Sequence, residues 1–259
     1  MIIINIMKEV MLSTASLFVF CICTFAFFIC QFYTNLRLKK PMAFLFYIYI
    51  VVVLFTQFGF NIGITKAKCS HAELGIAFIG TIFPWGCVFV MTVLLLNHFP
   101  GWKVPFSNTF GYIFVYLLGI RTLLVDKILK PITTYSETPE KHKKDEKDEK
   151  KRELDLSNLK GADFYLAIQH IYDNPSLFIN EITPENYENF WTKFSYALFR
   201  GEAENYKDKL KEYIIIKDSI SEFIWYLLSG VLSISISYAY INNATCSLPT
   251  SGSLLHDYS

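Results

Sequence analysis

The chain has 259 residues, of which 53% are hydrophobic and 17% aromatic, and its mean hydropathy is +0.32. Soluble domains are usually about 45–50% apolar, so this composition favours a membrane protein over a soluble one. The net charge of +1 argues against a protein whose main role is to bind nucleic acid.

Four apolar runs are long enough to cross a bilayer, which needs about 20 apolar residues. They cover residues 12–33, 43–64, 74–96 and 220–240. Because backbone groups must pair internally in lipid, all four are predicted to be helices. The first run is longer than the apolar part of a signal peptide and no clear cleavage site follows it, so it is interpreted as a retained membrane helix.

Residues 110–125 form a weaker fifth candidate, because this run is short and contains Arg121. An arginine at the centre of a spanning helix costs about 2.5–3.5 kcal/mol, although one near an end can extend to the surface. An amphipathic or re-entrant segment at the membrane surface is favoured, and a full crossing stays open. The predicted fold class is therefore an all-α polytopic membrane helix bundle with four spanning helices, one interfacial or re-entrant segment and a small α-helical extramembrane region.

Basic residues that flank the apolar runs predict the orientation of the bundle. One side holds three of them: Lys8, Lys66 and Lys68. If 110–125 does not cross, the other side holds Arg37, Lys39, Lys40, Lys103, Arg121, Lys127 and Lys130. The side richer in Lys and Arg is usually cytosolic. Residues 131–218 are therefore expected on the cytosolic face, and the 65–73 loop and the C-terminus on the other.

The cysteines fall into two groups. Four lie in apolar runs, where they are expected to act as small buried hydrophobes: Cys21, Cys23, Cys30 and Cys87. No CxxC pair supports a zinc site. Cys69 and Cys246 lie just beyond helix ends on the non-cytosolic side, and they could form a disulfide if that compartment is oxidising. Two free thiols are the alternative, because a sequence does not give the Cα separation that a disulfide requires.

Charge patterning divides the chain into four parts. Residues 1–130 hold the first three membrane helices and the interfacial segment, and 131–153 form a charged linker. Residues 154–218 form the small helical region, and 219–259 hold the last membrane helix and a C-terminal tail. The stretch EKHKKDEKDEKKRE in the linker mixes both charges without apolar residues, so it is interpreted as solvated, with binding of acidic partners as the alternative.

Apolar spacing predicts three helices in the 154–218 region. The first ends at Asn174-Pro175, the second runs from Thr183-Pro184 to Arg200-Gly201, and the third follows directly. Ser219-x-x-Glu222 resembles a capping box that starts the last membrane helix. Because about 65 residues make a marginal core, this region is expected to lean on the membrane, on the 110–125 segment or on a partner protein.

Small residues mark candidate contacts between the membrane helices. Gly59 and Gly63 are four residues apart, and the last helix repeats a serine at the same spacing: Ser229, Ser233 and Ser237. Such spacing lets membrane helices approach closely, so packing within the chain is expected and homo-oligomer contact is the alternative. Pro84 is expected to kink the third helix, more for packing than for gating.

Chemistry-bearing side chains are scarce in the spanning runs. Apart from the serines they are Thr24, Thr56, Gln57 and Thr81. The chain contains no HExxH, GxSxG or P-loop motif and no carboxylate pair, so no enzymatic activity, cofactor or metal is expected.

The run FPGWKVPFSNTFGY at 99–112 follows the third apolar run. Pro100-Gly101 predicts a turn, and Trp102 and Lys103 suit the headgroup level of a bilayer. Ser107 or Asn108 is expected to cap the segment that follows. The run is interpreted as an interfacial turn that leads into a surface-lying segment.

The same part of the chain carries a Pro-Trp pair, a Phe-Pro-Gly-Trp turn and a Pro-Phe-Ser-Asn-Thr-x-Gly-Tyr run. The residues concerned are Pro84, Trp85, Phe99, Pro100, Gly101, Trp102, Pro105, Phe106, Ser107, Asn108, Thr109, Gly111 and Tyr112. Further similarity lies at 68–69, 173–177, 180–182, 190–191 and Cys246. In these motifs the chain resembles, over roughly residues 42–246, the membrane-anchored minor capsid proteins of large icosahedral DNA viruses, the family defined on the transmembrane helices of chlorovirus minor capsid protein nine.

The resemblance implies a structural integral protein of a viral inner membrane, present in the virion and assembled from a host intracellular membrane. Its implied partners are the lipid bilayer and capsid proteins, and it brings no catalytic residue. The alternative function is a small membrane channel or viroporin-like protein, which would need a wet polar path through the bundle.

Overall fold

The computed structural model describes residues 2–34, 43–132 and 161–247. The charged stretch 140–153 and the basic flank 37–40 lie outside the described residues. Within the described ranges there is no β-strand, only an isolated antiparallel bridge between Leu129 and Phe199. The predicted all-α class is therefore confirmed.

Nine helices are distinguished in the described part of the chain. They are α1 Ile2–Tyr33, α2 Ala43–Cys69, α3 Leu74–His98, α4 Pro100–Leu117, α5 Ile120–Ile128, α6 Gly161–Asp173, α7 Ser176–Asn180, α8 Tyr187–Leu198 and α9 Lys207–Asn243. A π-helical turn, Trp85–Val90, lies within α3, and a 3₁₀ turn, Gly201–Tyr206, precedes α9.

Two compact units divide the chain. The bundle unit comprises Met1–Trp102 and Glu222–Ser259, and the inserted unit comprises Lys103–Ser221. The sequence-based division at 130 differs from this boundary, because residues 103–130 belong to the same compact unit as 161–221.

In the bundle unit, α1, α2, α3 and α9 are each long and apolar enough to span a membrane, as predicted. Their outer surfaces are apolar, and Phe55 on α2 is 71% exposed. An aromatic cluster fills the interior: Phe20, Phe27, Phe28, Tyr49, Trp85, Phe89 and Tyr226. The protein is thus an integral membrane protein by the length and composition of its helices, with large side chains outside for lipid and rings packed inside.

The helical region of the inserted unit shares one core with α4 and α5. Val115, Ile120, Leu124 and Ile128 are buried in the same cluster as the inward residues of the later helices: Ile168, Ile179, Ile182, Tyr187, Trp191, Leu198, Leu210 and Ile214. Of the three supports expected for this small region, the structure thus displays the contact with the 110–125 segment.

Three sequence-based boundaries are wrong. The capping box at Ser219-x-x-Glu222 starts no helix, because α9 is already helical from Lys207 and no proline or glycine interrupts it before Gly230. The helix expected at Thr183-Pro184 begins at Tyr187. In the turn before this helix, the backbone N–H of Thr183 donates to Asn186 Oδ1 at 2.8 Å, and the backbone N–H of Asn186 donates to Thr183 Oγ1 at 3.3 Å. The 65–73 loop is shorter than expected, because α2 continues to Cys69.

Two of the free cysteines also differ from expectation. Cys30 and Cys87 are exposed on the outside of the bundle unit, whereas Cys21 and Cys23 are partly buried. An apolar thiol needs no protein neighbours when lipid is the solvent, which is the physical reason that a cysteine in an apolar run does not have to face the core.

Candidate functional site

The polar side chains inside the bundle unit bond to one another across helices. Ser16 on α1 donates to Gln57 Oε1 on α2 at 2.6 Å, and Gln57 Nε2 donates back to the Ser16 carbonyl at 3.2 Å. Thr24 lies 2.9 Å from the Tyr49 hydroxyl. These contacts tie α1 to α2 at two levels. Thr56 instead donates to a carbonyl of its own helix.

Asn61 joins three helices at one point. Its Nδ2 donates to Thr81 Oγ1 on α3 and to Ser237 Oγ on α9, both at 2.8 Å. Asn61 is buried, and both of its amide protons are satisfied by side chains of neighbouring helices. Sequence reasoning missed this residue, although an asparagine within an apolar run is itself a signal of an interhelical contact.

The serine repeat of α9 faces inward. Ser229, Ser233 and Ser237 are all buried, and Ser233 donates to the Pro84 carbonyl on α3 at 3.3 Å. Pro84 does not end α3, and the π-helical turn that follows it turns the buried Trp85 ring against Phe20, with ring centroids 5.3 Å apart. The proline and the serines thus belong to one helix-packing contact.

The glycines of the bundle unit differ in their surroundings. A Cβ at Gly63 would lie 3.4 Å from Leu12 Cδ1 on α1, whereas a Cβ at Gly59 would meet nothing within 4 Å. The closest approach is at Gly230, where a Cβ would lie 2.0 Å from the Phe20 ring. Gly230 was not predicted, because it belongs to no repeat of small residues.

A disulfide between Cys69 and Cys246 confirms the predicted pairing, with Cα atoms 5.5 Å apart. Next to it, Lys68 Nζ donates to the carbonyls of Ile241 and Asn242 at 2.8 Å and to that of Ala244. These carbonyls lie in the last turn of α9 and just beyond it, so Lys68 caps the C-terminus of α9.

Glu73 completes this end of the bundle unit. Its carboxylate accepts hydrogen bonds from the backbone N–H of Ser247, at 2.7 Å, and from the Ser247 hydroxyl, and these bonds lower the pKa of Glu73. His71 lies 2.9 Å from the same carboxylate. We name the set Lys68, Cys69, Glu73, Cys246 and Ser247 the terminal clasp.

The terminal clasp shows which helix ends lie together in the bundle unit. Because it joins the ends of α2 and α9, α9 finishes at the end of the bundle where α3 begins. At the other end, where α3 finishes, Trp225 Nε1 of α9 donates to the Trp102 carbonyl at 3.0 Å, and the two indole rings stack. The chain thus leaves the bundle unit and re-enters it at one and the same end.

The segment between these points is bent. The axes of α4 and α5 differ by 84°, and the break lies at Gly119, whose φ of 95° favours glycine. A bent pair of helices thus lies where an interfacial or re-entrant segment was predicted, but it begins at Pro100 and is broken at Gly119, and its geometry fits a re-entrant segment or a broken span.

The resemblance motif is helical rather than a capped turn. Neither Ser107 nor Asn108 caps a helix, and Thr109 Oγ1 donates to the Pro105 carbonyl at 2.7 Å within continuous helix. Phe99 stacks on Trp102 with centroids 5.9 Å apart, and Phe106 on Phe110 at 6.2 Å. Tyr112 is half-buried and packs against the core of the inserted unit.

Gly111 in this motif lies against the backbone of α9. A Cβ there would lie 2.4 Å from the Lys217 carbonyl oxygen, so no other residue fits without movement. Lys217 itself is 2% exposed and its Nζ donates to the Ile179 carbonyl at 2.9 Å. Sequence reasoning did not single out this lysine.

Arg200 secures the bridge between α5 and the end of α8. Its Nε donates to the Leu129 carbonyl at 2.6 Å, and a guanidinium nitrogen lies 3.4 Å from the Val125 carbonyl. The carbonyls at the end of α5 thus find a charged partner from the Arg200-Gly201 corner.

The described residues offer little for catalysis or ligand binding. They contain no group of three His, Cys, Asp or Glu side chains that could hold a metal. A groove between α1 and α9, lined by Ser13, Thr14 and Tyr238 among others, has a volume of about 240 Å³. That is smaller than the 300–1,000 Å³ that small-molecule sites usually have.

Comparisons of the chain with protein-family models, with curated proteins and with solved structures find no match. The class of protein that the geometry defines is an all-α polytopic membrane protein with a covalent clasp at one end of its bundle and a compact helical insertion in its chain.

Proposed function

We propose that the protein is a structural integral membrane protein that anchors a viral inner membrane to the capsid. The resemblance of residues 83–112 to minor capsid proteins motivates the capsid as partner. The geometry supports an anchoring role. The four spanning helices fix the protein in the lipid, and the inserted unit is a separate compact unit that is available to bind a second partner.

The observation that carries this proposal is the pairing of the polar groups inside the bundle unit. Ser16 with Gln57, and Asn61 with Thr81 and Ser237, use their hydrogen-bonding capacity on neighbouring helices. A conducting path needs such groups to face water and passing ions. The pairing therefore favours a mechanical role over the channel or viroporin alternative.

The terminal clasp supports the orientation of the capsid-facing part. A disulfide persists in an oxidising compartment, such as the lumen of an intracellular membrane system. The chain leaves and re-enters the bundle unit at the opposite end, so we expect the inserted unit on the cytosolic face. In a virion whose membrane derives from a host intracellular membrane, that face points toward the capsid.

The first test is mass spectrometry of purified virions before and after mild detergent extraction of the membrane. We expect the protein in intact virions and its retention on the detergent-treated capsids. Absence from virions, or complete release with the lipid, would refute the anchoring role.

Amine-reactive cross-linking of the intact virions sharpens this test. Lys193 is exposed on the inserted unit, whereas Lys66 is exposed near the terminal clasp. We expect cross-links from Lys193 to capsid proteins and none from Lys66. Capsid cross-links from Lys66 alone would show that the orientation is reversed.

A further inference from the structure

The outward side of α4 is apolar along its length. Phe110, Ile113, Phe114 and Leu117 are all exposed, and Leu117 reaches 76%. The opposite side of the helix carries Ser107, Gly111 and Val115, which are buried. We name the first four residues the outer face of α4.

This face is too large for a water-exposed surface. Each buried phenylalanine can cover about 150–250 Å², and soluble proteins rarely leave contiguous apolar patches of more than a few hundred Å² in water. The outer face of α4 therefore requires an apolar neighbour, and three features identify that neighbour as the bilayer.

The first feature is continuity with a spanning helix. α4 begins at Pro100, directly after α3 ends at His98. Phe99 and Trp102 at this junction stack on each other, and aromatic rings of this kind prefer the headgroup level of a membrane. α4 thus starts at the membrane surface.

The second feature is the packing of α4 within the inserted unit. α4 meets α9 there three times: Lys103 Nζ lies 2.7 Å from Asp218, Gly111 touches Lys217, and Tyr213 Oη donates to the Leu118 carbonyl at 2.9 Å. α9 thus covers the inner side of α4 and leaves the outer face of α4 open.

The third feature is charge. After the bend at Gly119, α5 exposes Arg121 and Lys127, which suit anionic headgroups next to an apolar face that inserts beneath them.

We propose that the outer face of α4 is a membrane-insertion surface, whose occupant is the boundary between headgroups and acyl chains of the bilayer. The surface holds the inserted unit down on the membrane independently of any capsid. This inference does not rest on the anchoring function, since a channel or any other membrane protein with this fold would need the same contact.

Nitroxide labelling of the full chain in vesicles of phosphatidylcholine and phosphatidylserine tests the proposal. The free cysteines Cys21, Cys23, Cys30 and Cys87 are replaced by serine, and the disulfide is kept. Single cysteines are then introduced by Leu117→Cys and Ile113→Cys. Phe55→Cys on α2 is the lipid-exposed reference, and Glu202→Cys is the water-exposed reference on the inserted unit.

Power-saturation electron paramagnetic resonance measures collisions of each label with oxygen, which concentrates in lipid, and with a nickel chelate, which stays in water. We expect labels at 117 and 113 to favour oxygen and to lie about 5–10 Å below the headgroups. Phe55→Cys should lie deeper, and Glu202→Cys should favour nickel.

Three outcomes overturn the proposal. Nickel access at 117 and 113 equal to that of Glu202→Cys places the face in water. Low access to both reagents means that protein covers it, and a depth equal to that of Phe55→Cys means that α4 crosses the bilayer. Formation of the Cys69–Cys246 disulfide verifies the fold of each variant. Two positions on α4 are labelled so that the test remains possible if one of the two variants does not fold.

Discussion

Loss of the Cys69–Cys246 disulfide should lower the free energy of unfolding substantially. The two cysteines are separated by 177 residues, and the chain-entropy relation gives about 5 kcal/mol at 25 °C for a loop of that length. That value is an upper limit, because spanning helices that stay inserted after unfolding already confine the loop. We therefore expect a loss of about 2–3 kcal/mol for Cys69→Ser/Cys246→Ser.

The assay is reversible unfolding in mixed micelles with increasing dodecyl sulfate, followed by near-ultraviolet circular dichroism. Adding a reductant to the unmodified protein should reproduce the loss seen in the double variant, and the reductant should not affect the variant itself. Cys87→Ser is the matched control, because Cys87 is exposed and outside the terminal clasp.

A double variant as stable as the unmodified protein would refute the reasoning. Lys68 and Glu73 alone would then hold the end of α9, and the disulfide would add no constraint.

Two further predictions use the same assay. Gly230→Ala should destabilise the bundle by about 1–3 kcal/mol, because the added methyl group would overlap the Phe20 ring. Gly59→Ala is the control and should be nearly neutral, because no atom lies within 4 Å of the added methyl group. Equal effects of the two substitutions would contradict the close contact between Gly230 and Phe20. Asn61→Leu should lower the free energy of unfolding by about 1 kcal/mol, since hydrogen bonds between membrane helices contribute about 0.6 kcal/mol each on average and two are lost. An unchanged midpoint of the dodecyl sulfate unfolding curve would argue against both hydrogen bonds.

Interhelical polar contacts and the terminal clasp have a common physical basis. Lipid supplies no hydrophobic force between helices, so close packing, buried hydrogen bonds and a covalent bond decide how the bundle assembles. Ser16, Asn61 and Ser233 are therefore important for the shape of the bundle, although none of them has a catalytic partner.

Helix breaks could be predicted from the sequence where they depend only on neighbouring residues. A break such as Asn174-Pro175 follows from the backbone of two residues, and it separates α6 from α7 as expected. The start of α9 was not predictable in this way. The polar residues around 218 resemble a helix start, but the buried side chains of Leu210 and Ile214 keep the helix continuous through them.

The amino-acid sequence was sufficient to predict an all-α membrane protein with four spanning helices, because crossing hydrocarbon demands long apolar runs that are visible residue by residue. It also indicated Cys69 and Cys246 as a pair, through the side of the membrane on which each helix ends. The folded structure was needed to show that Asn61 joins three helices, that Gly230 meets Phe20 and that Gly111 meets Lys217. Each of these contacts joins residues that are distant in the chain. They depend on how each helix is rotated about its own axis, and that rotation is decided by packing against the other helices and not by any single segment.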